Sequence, residues 1–207
     1  MSLTVTELER LKSILIHMAK NIENILYTTK KLMEVNNDSE REKTWQEIEN
    51  TSVNLETIRR EFVNEVLIFI ARRQPLGREL LLANALISIA YDMYRISRYC
   101  REIARIDSML PLSSKLNTIR NLQTIFEEAI KAVEASLNDL IDFTPKRSNI
   151  VKEIDNNIDE IYREIIQEVT TNSVVPREKA VKALIMRHIE RIVDHAQYIE
   201  QYLSSIP

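Results

Sequence analysis

A single glycine and five prolines in 207 residues leave this chain little material for tight turns, hairpins or a glycine-rich phosphate loop. That shortage disfavours strands and points to an all-α chain with no β-sheet. One cysteine, Cys100, excludes an internal disulfide and suits a reducing cytosol. No charge of one sign predominates: 28 Lys and Arg stand against 31 Asp and Glu, a net charge of −3. No basic stripe of the kind that follows a phosphate backbone is present, so nucleic-acid binding is disfavoured. Long hydrophobic runs are missing too. The longest, residues 66–71 and 80–90, fall short of a bilayer span, and MSLTVTELERL opens as an amphipathic helix rather than a signal segment. Membrane contact is therefore expected only through a partner.

What the chain does have is helical periodicity. Leu8, Leu11, Leu15, Met18, Ile22, Ile25 and Leu32 recur at spacings of three and four, which predicts a helix over about residues 6–35, with Thr4 and Glu7 as its capping box. Asn36, Asn37 and Asp38 break it, and Ser39 with Glu42 offers the same capping signal for a second helix running to Arg73. Gln74-Pro75-Leu76-Gly77 forms the next turn, with Pro75 suited to the first turn of a third helix that ends near Asp107. Pro111 and Ser113-Ser114 separate the halves. Further helices are predicted over 115–143, between Pro145 and Pro176, and over 177–204. Long helices with short connections favour antiparallel neighbours, so the expected architecture is six helices as two tandem three-helix bundles, 1–109 and 110–207.

The halves read as copies. LETIRREFVNEV (55–66) matches IDEIYREIIQEV (158–169), with Ile58/Ile161, Arg60/Arg163, Glu61/Glu164, Glu65/Glu168 and Val66/Val169 in register. YRISRYCREI from Tyr94 likewise aligns with ERIVDHAQYI from Glu190, sharing Arg-Ile and the closing Ile103/Ile199. The copies differ in charge: residues 1–107 hold 16 basic and 16 acidic groups, whereas 108–207 hold 12 and 15.

Signals of catalysis are sparse. There is no nucleophile motif and no Cys or His pair at ligand spacing. His17, His188 and His195 lack the Glu-x-x-His pattern of di-iron bundles and read as ordinary surface or seam residues. The chain is not expected to be an enzyme. What remains is a set of carboxylates in the second copy: Asp155 with Asp159, and Glu190 with Asp194, each pair at i, i+4 on one helix face. At about 100° per residue, Glu190 and Asp194 fall nearly opposite the seam of Ile185, Ile189, Ile192, Ala196, Ile199 and Leu203. Asp155 and Asp159 lie away from Ile154, Ile158, Ile161 and Ile165. The four acids are thus expected at the surface, where a solvated face is the ordinary explanation and Arg187 and Arg191 neutralise part of the charge. Should the two faces converge, a hard cation such as Mg²⁺, Mn²⁺, Ca²⁺ or Fe³⁺ suits their oxygens.

Several segments carry a family resemblance. ARRQPLGREL (71–80) followed by YDMYRISRYCREIA (91–104), RHIERIVDHAQYIEQYL (187–203) and LERLKSILIHMAKNIENIL (8–26) together resemble the PhoU regulators of phosphate transport, as a divergent or archaeal member. The resemblance implies metal ligands at Asp155, Asp159, Glu190 and Asp194, for iron, zinc, magnesium or manganese. In the first copy Tyr94, Arg98 and Ser52 stand where acids are expected, so that copy is not expected to hold a metal cluster; in the second, Val193 replaces the usual Gly. It further implies a cytosolic regulator of phosphate uptake that contacts the ATPase or permease of a phosphate ABC transporter, or a sensor kinase, and that forms a homodimer. Leu80, Leu81 and Leu82 read either as core or as an apolar strip for self-association. The alternatives are a helical regulator of another transporter or ion channel, and a metal-handling bundle, which would need buried carboxylate and His ligands.

Overall fold

The computed structural model describes residues 5–111 and 115–206. Six α-helices follow one another: α1 (Val5–Leu32), α2 (Asp38–Arg73), α3 (Arg78–Met109), α4 (Leu122–Asp142), α5 (Ser148–Thr171) and α6 (Arg177–Ser205). No strand occurs among the described residues.

Local chemistry sets the ends, in places differently from the expectation. The cap of α2 is Asn37, whose side chain accepts from the N–H groups of Ser39 and Glu40, so the predicted Ser39–Glu42 box is not the device used. Because the helix begins at Asp38, its orphan donors include Ser39 and Glu40, which Asn37 and not Ser39 is placed to satisfy. Thr4 and the side chain of Leu8 lie outside the described residues, as do Ser113 and Ser114. Pro75 sits in the turn before α3 rather than in its first helical turn. The one glycine is used where it is needed, at φ 57 and ψ −123, a conformation that disfavours a side chain. The fourth helix starts at Leu122, later than expected, because a 3-10 turn over Leu116–Thr118 and the left-handed Asn121 intervene.

The periodic residues of α1 pack as their spacing predicts: Leu11, Leu15, Met18, Ile22, Ile25 and Leu32 are all buried. Each fully buried side chain of this size contributes about 1.5–3 kcal/mol. Within each copy all three helices touch, and across the copies α3 lies on α6 and α1 on α4. Helices α1, α3, α6 and α4 therefore form a closed ring, with α2 and α5 flanking it. The buried apolar residues of all six helices form one continuous core.

Contacts between α3 and α6 repeat on exchange of the copies. His195 Nδ1–H donates to Asp92 Oδ1 at 2.7 Å, and the rings of Tyr99 and His188 lie 5.8 Å apart. In the copy alignment Asp92 matches His188 and Tyr99 matches His195, so the two contacts are one contact seen twice about an approximate internal two-fold. Tyr99 and His195 stack on that axis with centroids 5.6 Å apart.

Candidate functional site

Helices α5 and α6 bring three of the four predicted acids together. One carboxylate oxygen from each of Asp159, Glu190 and Asp194 lies within 4.8 Å of the others, and among the described residues no other group of three His, Cys, Asp or Glu comes so close. Asp155, one turn before Asp159, stands beside this group rather than in it. Its Oδ2 accepts from Gln197 of α6 at 2.8 Å.

The acids are not the fully exposed group that the helical wheel suggested. Glu190 is 7% exposed, and Asp155, Asp159 and Asp194 are half-buried. The wheel assumed that α6 buries one face. Yet α6 packs against α3, α4 and α5, so Met186 and Val193 are buried along with the predicted seam. The acids lie along a strip where α6 runs beside α5 and stays partly open.

Two arginines on the same strip hold part of the charge. Arg187 Nη1 reaches both oxygens of Glu190 at 2.9 Å. Arg191 spans Glu190 and Asp194, at 3.1 Å and 2.6 Å. At an effective dielectric of 20, two carboxylates about 5 Å apart repel by about 3 kcal/mol, enough to raise proton affinity unless cations offset it. Burial, reinforced by Asp159 and Asp194 and opposed by Gln197, pushes the Asp155 carboxyl up to about 6. Burial first and Asp194 second raise Glu190, against the pull of Arg191 and Arg187. Burial also raises Asp194, with Arg191 opposing and Asp159 adding.

The donor set consists of carboxylate oxygens, with no thiolate and no imidazole, because His195 next to Asp194 is turned to Asp92. Such a set fits a hard cation better than a soft one. Sequence reasoning anticipated Arg187 and Arg191. It missed Gln197 and the Asp92–His195 pair; their signal, a polar residue at a seam position of two central helices, is visible only once those helices are known to face each other.

In the first copy the matching positions look different. Arg98 Nη1 lies 3.4 Å from the Tyr94 hydroxyl and its Nη2 pairs with Glu102 at 3.7 Å, while Glu56 adds an attractive charge. Ser52 is buried against Ser97, with hydroxyl oxygens 3.4 Å apart.

A family model described as the PhoU domain matches residues 15–106, a span inside the first copy. A solved structure of PhoU from Pseudomonas aeruginosa superposes with a TM-score of 0.79 over 97% of both chains, at 20% identity. Residues 15–106 thus carry a PhoU domain, and the chain as a whole has the PhoU fold. PhoU from Streptococcus pneumoniae has the same fold, with a TM-score of 0.78 and 17% identity over 97% of this chain and 95% of that one. Among curated relatives, a "phosphate-specific transport system accessory protein PhoU homolog" of Synechocystis is 24% identical over 73% of this chain and 69% of its own length. The homologue so named in Archaeoglobus fulgidus is 31% identical over 61% of this chain and 57% of its own. The PhoU family is an accessory and regulatory one, and no helix among the described residues is long and apolar enough to cross a membrane.

Proposed function

We propose that this PhoU-domain protein is a non-enzymatic, cytoplasmic regulator of phosphate uptake that acts by contact with the ATPase or permease of a phosphate ABC transporter, or with a sensor kinase. The names of its relatives, accessory proteins of phosphate-specific transport systems, support the process. The observation that carries the mode of action is the strip of α5 and α6 where Asp159, Glu190 and Asp194 converge beside Arg187 and Arg191. A bound Mg²⁺, Mn²⁺ or Fe³⁺ would be held by Asp159, Glu190 and Asp194 with Asp155 adjacent, and would supply a concentrated positive charge that cancels their repulsion. Occupancy would then switch the face from anionic to near neutral, and a partner that reads charge would respond. Homodimer formation would use the exposed apolar residues around the turn between α2 and α3. Leu80 and Leu81 are 40% and 55% exposed, whereas Leu82 packs against the core.

Affinity capture of the tagged protein from native membranes of cells held at high and low phosphate tests this reading. Support would be recovery of a phosphate-transport ATPase or permease that changes with phosphate and falls about tenfold or more in the Glu190→Ala/Asp194→Ala variant. Recovery of another transporter's subunits, or of nothing that depends on phosphate, would overturn it.

A further inference from the structure

A second pair of acids lies at the far end of α6, outside the strip described above. Asp139 of α4 and Glu200 of α6 are 0% and 3% exposed. One cation serves both. Arg147, which leads into α5, donates its backbone N–H and its Nη1 to Asp139, each at 2.5 Å. No N–H or hydroxyl donor reaches either oxygen of Glu200. The buried Asp139 carboxyl stands near it, and its charge raises the cost of ionising Glu200. With Arg147 committed to Asp139, an ionised Glu200 would be buried without any donor, so Glu200 is the acid of the two that favours a proton.

Glu200 also lines an open cleft of about 450 Å³, together with Ser148, Lys152, Gln197, Gln201 and Ser204. An ionised Glu200 thus has an exit toward water and toward a lysine. The equivalent end of the first copy is built differently. Ala104 stands at the position of Glu200, and the buried Asp107 has its own arginine, Arg41, at 2.7 Å. The unmatched acid is peculiar to the second copy.

We propose that Glu200 is a pH-operated latch on the start of α5. Protonated, it bonds Asp139 and closes the junction of α4, α5 and α6. On losing its proton it turns out of the junction into the cleft, toward Lys152, and frees the first turn of α5. The charges acting on it come from α4, through Asp139, and from the entry to α5, through Arg147, while Lys152 of α5 lines the cleft beyond. On α3, the buried acids Asp92 and Asp107 are turned to His195 and Arg41. Burial first and Asp139 second push the Glu200 carboxyl from 4.5 up to about 7, with Arg147 opposing. Since the folded value lies above the unfolded one, the protonated junction is fully favoured at acid pH and is lost as pH rises through neutrality. The latch also bears on the acidic strip: Gln197, one turn before Glu200, lines the same cleft and holds Asp155.

Amide hydrogen exchange of the full chain, corrected for intrinsic rates, tests the latch. Wild type should show about tenfold faster opening at residues 148–155 on going from about pH 6 to about pH 8, and Glu200→Gln should show a flat profile. The same rise in Glu200→Gln would overturn the proposal. A carboxyl-carbon NMR titration of Glu200 in the unmutated protein supplies a second readout. A midpoint near neutrality supports the latch, and one in the ordinary glutamate range overturns it.

Discussion

Where α5 and α6 gather Asp159, Glu190 and Asp194, the first copy carries Glu56, Tyr94 and Arg98 at the matching positions of α2 and α3. The helices are the same, yet the electrostatic solutions are opposite. In the first copy a guanidinium is built into the chain among Tyr94, Glu102 and Glu56, so positive charge is permanent and needs no ligand. In the second, four carboxylates are set against two arginines, Arg187 and Arg191, and a negative surplus remains. Even the aromatic contacts are exchanged. Arg59 of α2 lies 5.2 Å over Tyr94 of α3 in the first copy, and Arg187 of α6 lies 5.7 Å over Tyr162 of α5 in the second. The two copies thus share one helical scaffold and differ in the charges carried by its inner and flanking helices.

The strongest way to break this contrast is at the junctions where α2 and α5 begin. Arg41 and Asp107 are both buried, and Arg41 also donates to the carbonyls of Leu32 and Val35, which end α1. Arg41→Ala should therefore destabilise the protein by about 3–5 kcal/mol in urea unfolding, since it strands a buried carboxylate. Arg147→Ala should cost less, because Arg147 is 37% exposed and the backbone N–H of residue 147 still donates to Asp139.

Divalent metal sharpens the comparison next. On the proposed reading, Mn²⁺ or Mg²⁺ at about a hundredfold its dissociation constant stabilises wild type by about 2.7 kcal/mol, visible as a rise in Tm. Glu190→Gln/Asp194→Asn should abolish that rise, and Arg98→Ala should leave it intact. Equal metal stabilisation of the Glu190→Gln/Asp194→Asn variant and wild type would remove the metal from the account.

A smaller effect concerns pH. Asp155 is raised from 3.8 to about 6 in the folded protein. Its folded value lies above its unfolded one, so the native state binds the extra proton and stability declines as pH rises between those limits. Asp155→Asn should remove that decline and, after discounting for its half-exposed position, gain about 1 kcal/mol near pH 7. Thermal melts of both proteins at acid and neutral pH measure it. The smallest change is expected in the first copy. Arg98 and Glu102 are part-exposed at 37% and 28%, so Glu102→Gln should alter stability by less than about 1 kcal/mol at any salt concentration.

Much of this molecule is legible in the order of its residues. The seams of α1 and α6 predict the buried residues of those helices, since spacing along a helix is a local property. The repeat between 55–66 and 158–169 and the acids at i, i+4 are equally visible. Less legible were the ends, where Asn37 displaced Ser39 as a cap and a 3-10 turn delayed α4. The exposure of Glu190 was misjudged for a different reason. A wheel knows which side of a helix is apolar but not how many neighbours the helix has.

The sequence by itself determined the six helices, the duplication and the kinds of charge each copy carries, because periodicity, breakers and composition act within short stretches of chain. Tertiary structure alone decided that α6 is enclosed on three sides, that Asp159 meets Glu190 and Asp194 while Asp155 is held aside by Gln197, and that Glu200 is left facing Asp139 with a single arginine between two acids. Those outcomes depend on which helices share a wall, and desolvation and Coulomb interaction depend on distance in space rather than along the chain.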